Sequence, residues 1–346
     1  MKKIPLSYNP INHQKLAEVL QQYDSKLYPQ LITDFEQLVV KHSGVQAVAV
    51  NSGTAALHLA LKALDIGKDD FVLAPTFTYV ATINPILYVG AKPVFIGSEE
   101  DTWNMSPHFL KTSLEDLAKK SITPRAIIVV HTYGMPARME EILTIASEYG
   151  IPVIEDAAEA LGSTYNQKVA GTLGRIGIYS FNNNKILTTY GGGAVLTADE
   201  SLAKRIRFLA TQARENLPYY EHHEAGFNYQ MSVLNAAYGL AQWSELRNEV
   251  EKRKSIFSHF RKRYPQAQFQ NAPEGHCSNY WLTAALFKTK EEKQAVADEY
   301  EKEGYETRPV WKSMHTQPLY RNELYYGNHW CDFLFERGLC LPVIQE

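Results

Sequence analysis

Lys185 stands in Ser180-Phe181-Asn182-Asn183-Asn184-Lys185-Ile186-Leu187-Thr188-Thr189-Tyr190-Gly191-Gly192-Gly193, a polar loop between two apolar runs. A lysine held among apolar walls gives up its proton more readily and becomes an imine-forming nucleophile. A loop lysine on its own is ordinarily solvated, so its companions must decide the reading. The glycines behind it allow another group to approach closely. Two acids close a second apolar run in Glu155-Asp156-Ala157-Ala158-Glu159. A carboxylate there is costly to bury unless a positive partner meets it, and a protonated heteroaromatic nitrogen would be a fitting one. A helix N-cap aspartate is the plainer alternative.

A third run ends in Asn51-Ser52-Gly53-Thr54-Ala55-Ala56, a small-residue turn opening into a helix. Its free backbone N–H groups, the helix dipole and two hydroxyls suit a phosphate, although the same turn serves as a plain strand-to-helix connection. No GxGxxG is present, so it is not a dinucleotide fingerprint. Phe77, in Pro75-Thr76-Phe77-Thr78-Tyr79, either stacks on a ring or packs into the core. Imine lysine, acid for a pyridine nitrogen, phosphate cradle and aromatic face together describe a site for pyridoxal 5'-phosphate.

Ligands of open α/β sheets bind at the carboxyl ends of strands, and these residues follow such runs. Seven short apolar runs bounded by turn residues cover 46–50, 71–75, 93–96, 126–131, 152–155, 176–181 and 194–198. Three- and four-residue apolar steps predict helices over 55–64, 106–118, 139–149 and 200–213. The pattern is that of a seven-stranded, mainly parallel sheet wrapped by helices. Beyond Gln242 the chain turns to charged helices over 246–263 and 290–303 around a strand over 281–287. The 346 residues thus divide into a large lobe, 1–242, and a smaller α+β lobe, 243–346.

Lys plus Arg number 35 against 38 Asp plus Glu, with no basic stripe interleaved with aromatics, which argues against a nucleic-acid partner. No apolar run approaches the roughly 20 residues needed to span a bilayer, and no targeting segment opens the chain, so a cytoplasmic protein without a membrane partner is expected. Cys277, Cys331 and Cys340 fit neither a disulfide framework nor a zinc pair, and the adjacent His222 and His223 lack a partner ligand; no metal is expected.

NSGTAALHLAL, VIEDAAEALGS, YSFNNNKILTTYGGGAVL and GFNYQMSVLNAAYGLAQ together resemble the DegT/DnrJ/EryC1/StrS sugar aminotransferases, in order and spacing, and the likeness runs from Ile4 to the end. The resemblance implies the aspartate-aminotransferase (type I) fold and a pyridoxal-phosphate-dependent transaminase. It implies that Lys185 bonds the cofactor, Asp156 pairs with the pyridine nitrogen and Glu159 lies near the phenolic oxygen. Gly53, Thr54 and Ser180 would take the phosphate, Phe77 would stack, and Asn228 would reach into the neighbouring subunit's site of an obligate homodimer. L-glutamate would load the amine, with Lys185 serving both half-reactions.

The finer likeness, carried by NPILYVGAKPVFIGSEEDTWNMSP, the triple glycine, TRPVWKSMHTQPLY and ERGLCLP, is to 4-aminotransferases of UDP-linked 4-keto-6-deoxy-N-acetylhexosamines. Such enzymes feed surface glycan, lipopolysaccharide or glycoprotein biosynthesis. Trp311, Lys312 and His315 would then lie near the sugar nucleotide. A GDP-4-keto-6-deoxymannose aminotransferase resembling perosamine synthase is the rival reading, and a noncatalytic cofactor-binding regulator a more distant one. The sequence departs from the family at Gln230, usually Arg, at Val233, usually Asp or Asn, and at Asn183, often Gly. The segment LYPQLITDFEQ also lacks the Gly-Pro turn common before that helix, and the chain stops at LPVIQE where relatives commonly continue. These departures bear on the substrate pocket and on C-terminal packing, while the cofactor residues are intact.

Overall fold

The computed structural model describes residues 4–7 and 12–344; the last two residues of the closing LPVIQE lie outside them. The seven expected runs form strands β1 (Gln46–Val50), β2 (Phe71–Pro75), β3 (Lys92–Ile96), β4 (Pro124–Val130), β5 (Val153–Asp156), β6 (Ile176–Ser180) and β7 (Gly193–Thr197). They line up in one sheet in the order β1-β7-β6-β5-β4-β2-β3, and an eighth strand, Tyr325–Tyr326, pairs in parallel outside β3. That two-residue strand carries no apolar run, so no periodicity announces it. Only β7 runs against its neighbours, pairing antiparallel with β1 and β6. Every residue of β6 and β7 is buried, as a sheet covered on both faces requires.

The carboxyl ends of β1, β2, β4, β5 and β6 therefore open on one edge of the sheet. Ser52 caps the helix Gly53–Ala63 by accepting the Ala55 N–H at 3.0 Å, which turns the chain sharply at the end of β1. The helix expected over 200–213 closes at Ala210, because Thr211 leaves the helical path to bridge with Asn228. The edge strand β1 is protected by the helix Gln30–Ser43: Glu36, buried, accepts the Ala49 N–H at 2.8 Å and binds Arg207 at 2.8 Å. A free carboxylate there would be costly; the guanidinium and the amide together satisfy it.

Beyond the large sheet, Gln268–Phe269, Thr283–Leu286, Gly338–Leu341 and Arg308–Pro309 form a second, antiparallel sheet. Phe260 and Tyr264 of the helix Leu246–Arg263 (Tyr264 just past its end) and Tyr300 of the helix Lys290–Lys302 pack on its Ala285, Leu339 and Leu341. Among the described residues no helix is long and apolar enough to cross a membrane.

Gly239 places the helix Val233–Gln242 directly against Phe35: a Cβ there would come within 2.3 Å of the ring. Phe35 is fully buried and meets Phe181 at 5.2 Å and Trp243 at 5.8 Å between ring centres, so it has no room to yield. Gly239→Ala should therefore lower unfolding stability by about 1–3 kcal/mol in denaturant titration, although alanine is the better helix former.

Candidate active site

The loop after β6 folds back on itself. Phe181 N–H donates to Gly192 C=O at 2.9 Å and Thr189 N–H to Phe181 C=O at 2.8 Å, while Ile186 and Leu187 are buried. These bonds extend the β6–β7 pairing into the loop and hold Lys185 at the sheet edge. The glycine run does what close approach demands: a Cβ on Gly193 would sit 2.7 Å from the Ser52 carbonyl carbon. The start of β7 is thereby pressed against the turn that opens the helix Gly53–Ala63. A Cβ on Gly53 would in turn meet Cβ of Ser180 at 3.0 Å, so Gly53, Thr54 and Ser180 come together around the first helical turn. Amides of a first turn have no partner within their helix and point outward, as anion binding needs.

Asp156 ends β5 as a strand residue and is buried; the helix-cap alternative does not apply, since no helix follows it directly. Its Oδ2 accepts the Thr82 hydroxyl at 2.8 Å and its Oδ1 the Ala158 N–H at 3.2 Å. Burial nonetheless holds its carboxyl above the usual range, against the opposing pull of those hydrogen bonds and of Lys185. Glu159, also buried, accepts the Tyr133 N–H at 2.8 Å and meets Lys185 Nζ at 3.4 Å. Burial pushes its carboxyl from near 4.5 up to about 7, opposed chiefly by the Lys185 charge. Glu155 belongs to the scaffold: fully buried, it meets His131 Nε2 at 2.9 Å and accepts the Gly171 and Leu173 N–H groups.

Phe77 is fully buried, with its ring 6.1 Å from Tyr133 and 5.8 Å from Trp311. The Trp311 ring lies tilted by 35° against Tyr133 at 4.5 Å between centres, and its backbone N–H donates to the Tyr133 hydroxyl at 3.3 Å. His315 binds the hydroxyl of Thr76, the residue before Phe77 at the exit of β2, through Nδ1 at 2.7 Å and stacks on Tyr325 at 3.8 Å. Lys312 is exposed. Asn228 is exposed at the rim, where its carbonyl accepts the side-chain amide of Asn51 at 3.2 Å. Gln230 bridges to Val50 beside it, and Val233 opens the helix that follows.

Two residues at this site escape a reading of the sequence. Tyr133 holds a left-handed backbone (φ 56°) that aims its N–H at Glu159, a strained conformation for a non-glycine residue. Its position just past β4 was a legible signal. Trp281, whose ring lies 4.1 Å under Lys185 Nζ, is 96 positions further along the chain and carried none.

A lysine and two buried acids beside a helical anion cradle and an aromatic wall are the groups that a site for pyridoxal phosphate would use. The residues fit that group: the Gly53–Ser180 contact leaves bare backbone for a phosphate, and a cationic ring N–H would relieve the buried Asp156. The DegT/DnrJ/EryC1/StrS aminotransferase family model matches residues 9–346. A protein named putative pyridoxal phosphate-dependent aminotransferase EpsN, from Bacillus subtilis (strain 168), is 45% identical over 90% of this chain and 82% of its own length. GDP-perosamine synthase of Escherichia coli O157:H7 is 37% identical over 90% of this chain and 84% of its own. The crystal structure of a DegT DnrJ EryC1 StrS aminotransferase from Brucella abortus superposes with a TM-score of 0.88 at 27% identity, covering 95% of this chain and 90% of that one. The chain belongs to the DegT/DnrJ/EryC1/StrS family: it is a pyridoxal-phosphate-dependent sugar aminotransferase of the type I fold.

The raised Glu159 carboxyl has a consequence for stability. Its folded-state value lies above the unfolded one, so its contribution is complete below pH 4.5 and is lost as the pH rises towards 7. At about 1.4 kcal/mol per pH unit the loss is on the order of 3 kcal/mol. Urea unfolding of the cofactor-free chain at pH 4.5 and pH 8 should show this fall, and Glu159→Gln should remove most of it. Asp156, shifted in the same direction, would leave a residual slope.

Proposed function

We propose that the chain transfers the amino group of L-glutamate to the keto carbon of a nucleotide-linked 4-keto-6-deoxy sugar, with a UDP-linked N-acetylhexosamine as the first substrate to test. The product is an amino sugar for surface glycan or glycoprotein assembly. The observation that carries this is Lys185 Nζ standing 3.4 Å from buried Glu159 at the edge where Asp156 and the Gly53 turn also emerge.

In this reading Gly53 and Thr54 N–H groups and the Ser180 hydroxyl hold the cofactor's phosphate, Asp156 its pyridine nitrogen, and Phe77 its ring face. Bound there, pyridoxal phosphate supplies the electron withdrawal that lets a Cα proton leave. Lys185 Nζ takes the proton from Cα of glutamate in one half of the reaction and delivers a proton to C4 of the sugar in the other. Glu159 sits near the phenolic oxygen. The aromatic pair Tyr133–Trp311 excludes water from one side, and Lys312 and His315 face the sugar nucleotide. Asn228, exposed at the rim of its own subunit, serves the site of a second copy, so the active unit is a two-fold homodimer.

The relatives named GDP-perosamine synthase favour a second substrate reading, GDP-linked 4-keto-6-deoxymannose. Mass analysis of the products formed from glutamate with UDP- and GDP-linked 4-keto sugars separates the two; formation of neither amino sugar would count against both. Lys185→Ala should lower turnover by roughly a hundred- to ten-thousandfold while leaving noncovalent cofactor binding measurable. Full activity in that variant would refute the assignment. A chain that bound the cofactor but left it unchanged with glutamate would instead be a noncatalytic binder.

A further inference from the structure

Among the described residues, Glu159 and Trp281 reach Lys185 Nζ from different parts of the chain. The Glu159 carboxylate stands at 3.4 Å, and the face of Trp281 lies 4.1 Å away, measured to the ring centre. An ammonium over an indole face is attracted by the ring's negative quadrupole, and the attraction grows where water is excluded. Water is scarce here, since Trp281 is 3% exposed and the lysine side chain 12%. The same indole also secures the lysine's loop, because its Nε1–H donates to the Asn184 carbonyl at 2.7 Å, one residue before Lys185.

Trp281 is in turn braced from both sides. Its backbone N–H donates to Asn279 Oδ1 at 2.9 Å, and its backbone carbonyl accepts from the buried Arg253 at 3.1 Å. Asn279 Nδ2 donates to the Glu159 carbonyl at 2.9 Å. One buried asparagine therefore sets the spacing between the ring and the carboxylate that flank the amine. The close fit extends to Gly134, where a Cβ would fall 1.8 Å from Asn279 Oδ1.

We propose that Trp281 is a positioning residue for Lys185: its ring face seats the terminal nitrogen and its indole N–H fixes the loop, presenting the amine for bonding to the cofactor's aldehyde. The inference rests on Lys185 being the cofactor lysine. For that bond the ammonium first gives one proton to a base, and Glu159 stands within reach. The amine nitrogen then forms a double bond to the aldehyde carbon, and the aldehyde oxygen leaves as water with the two remaining N–H hydrogens. Nothing is oxidised or reduced.

The test compares two probes on the full chain freed of cofactor. Pyridoxal phosphate can bond to the lysine and pyridoxamine phosphate cannot, so a residue that acts through Lys185 affects only the first. Trp281→Leu should bind pyridoxamine phosphate within about twofold of wild type in equilibrium dialysis, while borohydride-trapped pyridoxal phosphate on the Lys185 peptide falls roughly tenfold. Trp281→Phe, which keeps an aromatic face and loses the N–H, should fall between. Wild-type sequence produced with ring-fluorinated tryptophan keeps the shape and weakens the negative face, and should also trap less, which keeps the question open to test if the leucine variant fails to fold. Trapping at the wild-type level in the variants, or an equal loss of both probes, overturns the inference and leaves the cofactor lysine standing. Absence of any Lys185 adduct in wild type overturns the functional reading and this inference with it.

Discussion

Two carboxylates, Asp156 and Glu159, are buried three residues apart where β5 leaves the sheet, and the rest of the site is arranged around that cost. Desolvation drives both towards the neutral form. Against it stand the Thr82 hydroxyl and Ala158 amide on one acid, and the Tyr133 amide and Lys185 ammonium on the other. Tyr133 adopts a left-handed backbone to supply its N–H, and the loop after β6 folds back to bring the lysine in. What those donors do not balance on Asp156 would suit a cationic heterocycle, the chemistry that the cofactor of this family brings.

The second constraint is close approach. Gly53, Gly193 and Gly134 each stand where a Cβ would strike a neighbouring part of the site. Their role is steric: they let the helix turn, the start of β7 and the Asn279 side chain crowd together at one edge. Density of this kind keeps side chains in single positions, as the proposed use of one amine at two stages of turnover would require.

The smaller antiparallel sheet contributes more than a cover. The segment leading into Thr283–Leu286 delivers Asn279 and Trp281 to the lysine, and the stretch after Arg308–Pro309 delivers Trp311 and His315 to the exit of β2. Tyr325–Tyr326 then returns to extend the large sheet. Chain from both ends of the sequence thus meets at one edge, which couples the mutual position of the two sheets to the geometry around Lys185.

Much of this was legible without coordinates, because it is local. Continuous apolar runs marked the seven main strands, and rule-bound strand ends drew attention to Gly53, Phe77, Asp156, Glu159, Ser180 and Lys185. Short or polar elements such as Tyr325–Tyr326 escaped, since two residues carry no periodicity. Strand burial and turn chemistry depend on neighbours a few positions away, so the amino-acid order by itself determined the strands and the chemical types available at their ends. Only the tertiary structure decided which of those groups touch: the ring of Trp281 under Lys185, and the amide of Tyr133 on Glu159. Those contacts join residues far apart in the chain, and their energies depend on burial and distance, quantities that exist only once the chain has folded.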